Sequence, residues 1–367
     1  MGCQAENHGH SQMNADRFDS AAVVFQVISR RRFLSSAIAC AAALPLTGGA
    51  QQGPPNEIKV SVPGPGNSVS LPLELAVKIG ADRAEGLSLR LKFGGGSGVA
   101  INDLQSGDAD FAVFGLPAAM AANLRQPTLV ALAALGDLPL YTLMVRQDLR
   151  GKVRRIQDLK GRVIGVHSNA LLNKTTSHQI ADLVFRVHGI AADDVRYIAA
   201  GQSWETQSSA MISGAIDASF CDEPFGQRLA AEKLAFRLYT TGDPKDASQT
   251  PGAGFLRATL IARRDKVEAD GAVAERMVRM SKRVLDWMAA RKAEDIADAM
   301  ALSGAERKAF IDIWRQYPRQ YSRDAKFSSA QLRETDTFFR ASNSSNADAQ
   351  RFSVESMIVD KWVGRKP

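Results

Sequence analysis

The chain has 367 residues, 45% hydrophobic and 23% charged, with a formal net charge of +7 at pH 7. That length can bury a large core and corresponds to about two domains. Its basic residues are scattered rather than gathered in a block interleaved with aromatics, which argues against nucleic acid as a partner.

The N-terminal stretch carries Ser29-Arg30-Arg31-Arg32-Phe33-Leu34, an apolar run at 37–46, and the small residues Thr47-Gly48-Gly49-Ala50. A basic head, a short apolar middle and a small-residue exit describe an export signal. The spacing S-R-R-x-F-L also resembles the twin-arginine signal that carries folded proteins across a bacterial inner membrane. An ordinary signal peptide is the plainer reading, and Ala37-Ile38-Ala39-Cys40 is only weakly like a lipid-attachment site. Met13 offers a second start. Cys3 and Cys40 fall within residues 1–56, taken as signal and linker, so Cys221 stands alone beyond them and no internal disulfide is expected.

The first strand is expected at 57–62 (EIKVSV). It stops at Pro63-Gly64-Pro65-Gly66-Asn67-Ser68, a loop that Pro and Gly keep irregular. Ser70 can cap a helix over 71–84, which Gly86 ends, and LSLRLKF at 87–93 alternates as a second strand. The turn Gly94-Gly95-Gly96-Ser97-Gly98 opens a helix over 99–105, followed by a strand over 110–114. Glycines there permit positive φ and close approach, and the helix start presents free N–H donors. Strand–helix–strand–helix–strand predicts parallel pairing with right-handed crossovers.

The same device recurs. RVIGV at 162–166, a helix over 172–187 and VRYIA at 195–199 repeat the first unit. Twelve positions separate Gly94 from Ser106 in SGDADFAV, and twelve separate Gly201 from Ser213 in SGAIDASF. Thr142-Leu143-Met144-Val145-Arg146-Gln147-Asp148 and Thr259-Leu260-Ile261-Ala262-Arg263-Arg264-Asp265 also match, and are expected to be crossing strands at a hinge. Two alike lobes with a cleft between them follow. Residues 57–145 plus about 241–367 are expected to form the first lobe, and 146–240 the second. Helices are expected at 274–290, 305–314, 329–341 and 352–363, bracing the lobes.

The GGGSG turn, SGDADFAVFG, DLKGRVIGV at 158–166, SGAIDASFCDEPF and the leader together resemble the periplasmic substrate-binding proteins of ABC importers, in the sulfonate, nitrate, taurine and thiamine-precursor group. The likeness covers roughly 57–290. It implies an α/β, two-lobe periplasmic binding protein-like (type II) fold, each lobe a doubly wound, mostly parallel sheet, with C-terminal helices. It also implies a non-enzymatic, monomeric protein of the periplasm that hands a small-molecule solute to an ABC permease in the inner membrane. Alternatives are a thiamine-precursor (pyrimidine) binder, a ligand-binding partner of a membrane sensor, and an enzyme on the same scaffold, since the resemblance includes pyridoxal-phosphate pyrimidine synthases, which are not exported. The cysteine-rich motif of those synthases is absent, and no cofactor motif is present.

Ligands of doubly wound sheets sit beyond the carboxyl ends of the strands. That rule selects Asn67, Ser68, Gly96, Ser97, Gly115, Leu116, His167, Ser168, Asn169, Gln202 and Trp204. Converging helix starts favour an anion without any buried arginine. Each glycine or serine has the bland role of shaping a turn, Trp204 that of a core residue, Tyr141 that of hinge packing, and His167 that of a satisfied structural histidine. Asp222-Glu223 complicates the charge: two carboxylates could take an ammonium or aminopyrimidine, or serve as a cap and interlobe latch. His178 and His188 lie ten apart, which is no metal pair.

Overall fold

The computed structural model describes residues 56–167 and 175–367. The export signal, Ser168 and Asn169 lie outside the described residues.

In chain order the first half runs β1 (Asn56–Val62), α1 (Leu71–Lys78), α2 (Ala81–Ala84), β2 (Leu87–Phe93), α3 (Ser97–Ser106), β3 (Phe111–Phe114), α4 (Leu116–Asn123) and β4 (Leu129–Gly136). The helix expected over 71–84 is two helices. Gly80 takes φ 71°, a left-handed conformation that ends one α-turn and starts another. The next half supplies β5 (Tyr141–Arg146), β6 (Val163–Val166), α5 (Thr176–Val187), β7 (Arg196–Ala199), α6 (Trp204–Ile212), β8 (Ala218–Asp222), α7 (Phe225–Ala231), β9 (Ala235–Thr240) and β10 (Ala258–Arg263).

Two five-stranded sheets result, ordered β2-β1-β3-β10-β4 and β7-β6-β8-β5-β9. β1 pairs parallel with β2 and β3, and β6 parallel with β7 and β8, as the crossover units require. The fourth strand of each sheet is antiparallel, and it is one of the two T-L-x-x-R-x-D segments. Their charged ends match as well: Arg146 pairs with Asp148 and Arg263 with Asp265, both at 2.6 Å. One correction follows. Residues 141–145, expected in the first lobe, pair along their length with β8, from Tyr141↔Asp222 to Val145↔Ala218. The crossing therefore precedes Tyr141, because an apolar strand carries no local mark of the sheet it joins.

Strands β3, β4 and β8 are buried throughout, with their side chains in the cores on either face of each sheet. The C-terminal part adds α8 (Gly271–Ala289), α9 (Gly304–Gln316) and α10 (Ser329–Ser342). Helix α9 packs on α7 of the second sheet, and α10 packs on both α4 and α5. The helix expected over 352–363 is absent. A 3-10 turn, Val354–Met357, leads to Ile358, which bridges Ala131 of edge strand β4, with the Val359 N–H donating to the Ala131 carbonyl at 2.9 Å. A buried edge strand needs partners for its backbone, and that demand outweighs the helical pattern.

Gly252 (φ 69°) lets α10 approach closely: a Cβ there would lie 2.3 Å from the Phe338 amide nitrogen, beside stacked Phe255 and Phe338 rings 4.2 Å apart. Gly252→Ala is expected to cost about 1–3 kcal/mol of stability in urea denaturation, from backbone strain and overpacking.

Candidate functional site

The carboxyl ends of β1, β7 and β8 meet at one buried carboxylate. Asp222, the last residue of β8, is fully buried. Its Oδ2 accepts from Asn67 Nδ2 at 2.8 Å and Gln202 Nε2 at 2.6 Å, and lies 3.2 Å from His167 Nε2. Its Oδ1 accepts from Arg257 Nη2 at 2.5 Å, while Arg257 Nη1 donates to Ser68 Oγ at 2.8 Å. Local chain chemistry aims these groups. The loop after β1 is held by Asn67 Oδ1 accepting the Val69 N–H at 2.8 Å, which turns the amide's donor end toward Asp222. Backbone bonds join the lobes beside it: Gly64 N–H to the Gln202 carbonyl at 3.2 Å, and Ser68 N–H to the Glu223 carbonyl at 3.3 Å.

Burial alone would raise the Asp222 pKa, but His167 and Arg257 outweigh it and hold the carboxyl well below the usual range. Burial likewise opposes the Arg257 charge, and Asp222 more than restores it. The sign of the pH effect follows. A carboxyl with a depressed folded pKa contributes stability above its unfolded pKa of about 3.9, and that contribution is lost as pH falls. Acidification below pH ~4 should therefore destabilise the wild type more than Asp222→Asn in paired urea melts at pH 7 and pH 3.

Glu223 points elsewhere. Its Oε1 accepts from Thr142 Oγ1 at 2.7 Å and its Oε2 from the Gln227 N–H at 2.8 Å, at the start of α7. Burial raises its pKa. The acid pair thus divides into a bridge between lobes and a cap within one, and each carboxylate already has protein donors.

A second contact between lobes lies at the starts of α4 and α5. A Cβ on Gly115, the N-cap of α4, would sit 2.5 Å from Thr176 Oγ1 and 3.1 Å from the Arg257 carbonyl. Among the described residues, Thr175 Oγ1, Thr176 Oγ1, Ser177 Oγ and Arg257 Nε are buried without a hydrogen-bond partner. Each orphaned polar group costs ~1–3 kcal/mol unless something satisfies it. Of these, the Thr176 hydroxyl is the one at the seam between the starts of α4 and α5, where an oxyanion could accept from it.

Asn67, Ser68, His167, Gln202 and Asp222 are therefore brought together, with Tyr141 alongside, its ring centroid 6.1 Å from that of His167 and 5.3 Å from Arg257 Cζ. Gly96 and Ser97 start α3 at the end of β2. Leu116 is buried and its N–H donates to the Leu256 carbonyl, so that amide is spent on the fold. Trp204 packs within the second lobe, under Arg228 Cζ at 3.8 Å and 6.5 Å from Phe225.

The sequence reading missed Arg257, only 3% exposed, and Thr175–Ser177; its anion argument rested on helix starts alone and did not call on a buried arginine. The available signal was a lone charge inside the apolar run Phe255-Leu256-Arg257-Ala258, where burial demands a partner. Cys221 lies on the opposite face of β8 from Asp222, fully buried, and burial pushes its thiol far up. It should stay unreactive to an aromatic disulfide reagent until the protein unfolds.

The pattern of a family described as NMT1/THI5 like matches residues 70–294. No curated protein matches the chain. Among solved structures, a protein of Bordetella bronchiseptica RB50 is similar at 20% identity, with 85% of this chain and 96% of that one covered and a TM-score of 0.75. The alkanesulfonate-binding protein of Xanthomonas axonopodis pv. citri, bound to MOPS, is similar at 15% identity, 86% and 100% coverage and a TM-score of 0.66. A desulfurization enzyme is similar at 17% identity, 84% and 97% coverage and a TM-score of 0.50. At such identities the likeness shows the fold, and it is the two-lobe α/β fold expected from the sequence.

Proposed function

We propose, on the premise that this chain belongs to the NMT1/THI5-like family, that it is an extracytoplasmic solute-binding protein delivering a small anionic solute, of the sulfonate, nitrate or carboxylate type, to an ABC importer. One observation carries this reading: where the lobes meet beside the Asp222 cluster, the Thr176 hydroxyl and Arg257 Nε are buried donors without a hydrogen-bond partner. A sulfonate or carboxylate oxygen would supply those donors with an acceptor. Among the described residues, the hydroxyls of Thr175 and Ser177, on either side of Thr176 at the start of α5, are buried without a partner too. The lobes act as a clamshell, and a solute favours the closed form only through contacts it makes there in excess of those Asp222 already makes. The closed face then docks on a permease of the inner membrane, with the protein acting as a monomer.

The leader supports export to the periplasm by the twin-arginine route. An aminopyrimidine ligand is less well supported, since both acids that would recognise it are engaged by protein donors. An enzyme of the desulfurization kind is less well supported too, because Cys221, the one cysteine among the described residues, is fully buried.

The test is thermal shift followed by calorimetry on residues 52–367, using sulfonates, nitrate, aromatic carboxylates and pyrimidines. Binding near 1 μM corresponds to about 8 kcal/mol, and ligand at a hundredfold excess over Kd stabilises by ~2.7 kcal/mol. Stabilisation by pyrimidines and not by any anion would contradict the reading.

A further inference from the structure

Arg257 is the one arginine or lysine buried among the described residues. Its guanidinium is divided between two tasks. Nη2 donates to Asp222 Oδ1 and Nη1 to Ser68 Oγ, while Nε is buried without a partner. One planar group thus carries both the free N–H and the bond that cancels its charge. Asn67, Gln202 and His167 stand against the other carboxylate oxygen, Asp222 Oδ2, which fixes the carboxylate in place. Glu223 follows in the chain but is committed to Thr142 and the start of α7.

We propose that Asp222 sets the charge specificity of the site: by neutralising Arg257 it admits singly charged anions and excludes doubly charged ones. The inference rests on the solute-binding reading above and deepens it. The cost of stripping water from an ion grows with the square of its charge, so a dianion such as sulfate can be buried here only against an uncompensated cation. The Asp222–Arg257 pair has no net charge to offer one. A second negative charge roughly 6 Å from the carboxylate, at an effective dielectric of about 20, meets a repulsion of about a hundredfold in affinity, which offsets the pull of the guanidinium. A singly charged anion asks less. The hydrogen bonds of Arg257 Nε and the Thr176 hydroxyl are enough to hold it.

The test is calorimetry of residues 52–367 at one ionic strength, with methanesulfonate and nitrate against sulfate. Wild type, Asp222→Asn and Glu223→Gln are compared, each with a thermal melt to show that it is folded. Wild type is expected to bind the better monoanion at least ~10-fold more tightly than sulfate. Asp222→Asn should raise sulfate affinity at least ~10-fold relative to that monoanion, because Arg257 then keeps its charge. The buried Gln202 Oε1, which has no partner, can accept from the new amide. Glu223→Gln removes a carboxylate one residue away and should leave the ratio as in wild type. A merely structural role for Asp222 would move both affinities together. Sulfate bound by wild type as tightly as the better monoanion overturns the inference without any variant. A ratio unchanged in folded Asp222→Asn, or moved equally by Glu223→Gln, overturns it too, and leaves the anion reading standing. Failure of every anion to bind, in wild type and both variants, removes that reading itself.

Discussion

Asp222→Ala is expected to lower the unfolding free energy by about 3–5 kcal/mol, the cost of leaving a buried charge without its partner. Arg257 is 3% exposed and its guanidinium is directed at Asp222 Oδ1 and Ser68 Oγ. Without the carboxylate, that charge, the Asn67 amide and the Gln202 amide all face an apolar methyl group. The double variant Asp222→Ala/Arg257→Met should recover part of the loss, because removing both charges abolishes the uncompensated one, so the two changes should be strongly non-additive. Urea denaturation of the two single variants and the double measures the coupling directly. Additive effects, or a single-variant cost under ~1 kcal/mol, would show that Asp222 is not what joins the lobes.

The second large effect is on binding. Gly115 takes φ −68° and ψ 134°, a conformation open to any residue, so a side chain there meets no strain within its own loop. What a side chain meets is the other lobe, with Thr176 Oγ1 2.5 Å from the new Cβ. Gly64 is a second such position, where a Cβ would stand 2.3 Å from the Gln202 carbonyl oxygen. Gly115→Val should therefore wedge the lobes apart and weaken solute binding at least ~100-fold, about 2.7 kcal/mol. Gly151→Ala is the control, since nothing lies within 4 Å of a Cβ there, and it should bind as wild type. Unchanged affinity in folded Gly115→Val would contradict closure as the means of binding.

What the sequence made legible was local. Strand β2 was found at its full extent because LSLRLKF alternates, and the second unit was found because its glycines and Ser-Gly turns recur at one spacing. The T-L-x-x-R-x-D pair was visible for the same reason, and the structure explains it by equivalent positions in the two sheets. Non-local facts were hidden. Nothing in TLMVR states which sheet it joins, and nothing near Arg257 names Asp222, 35 residues away, as its partner. The segment at 352–363 misled because its apolar spacing suits a helix, whereas an edge strand 227 residues earlier claims Ile358. Asp222 and Glu223 were read as one pair; only the register of β8 shows that neighbouring side chains part, one to the cluster and one to α7.

The most direct measurement is a crystal structure of residues 52–367 grown with the tightest-binding anion from the calorimetric series. The anionic group is expected between the lobes, within hydrogen-bonding reach of Arg257 and the Thr176 hydroxyl. An anion bound outside the space between the two sheets, with the Asp222 cluster unaltered, would contradict the account.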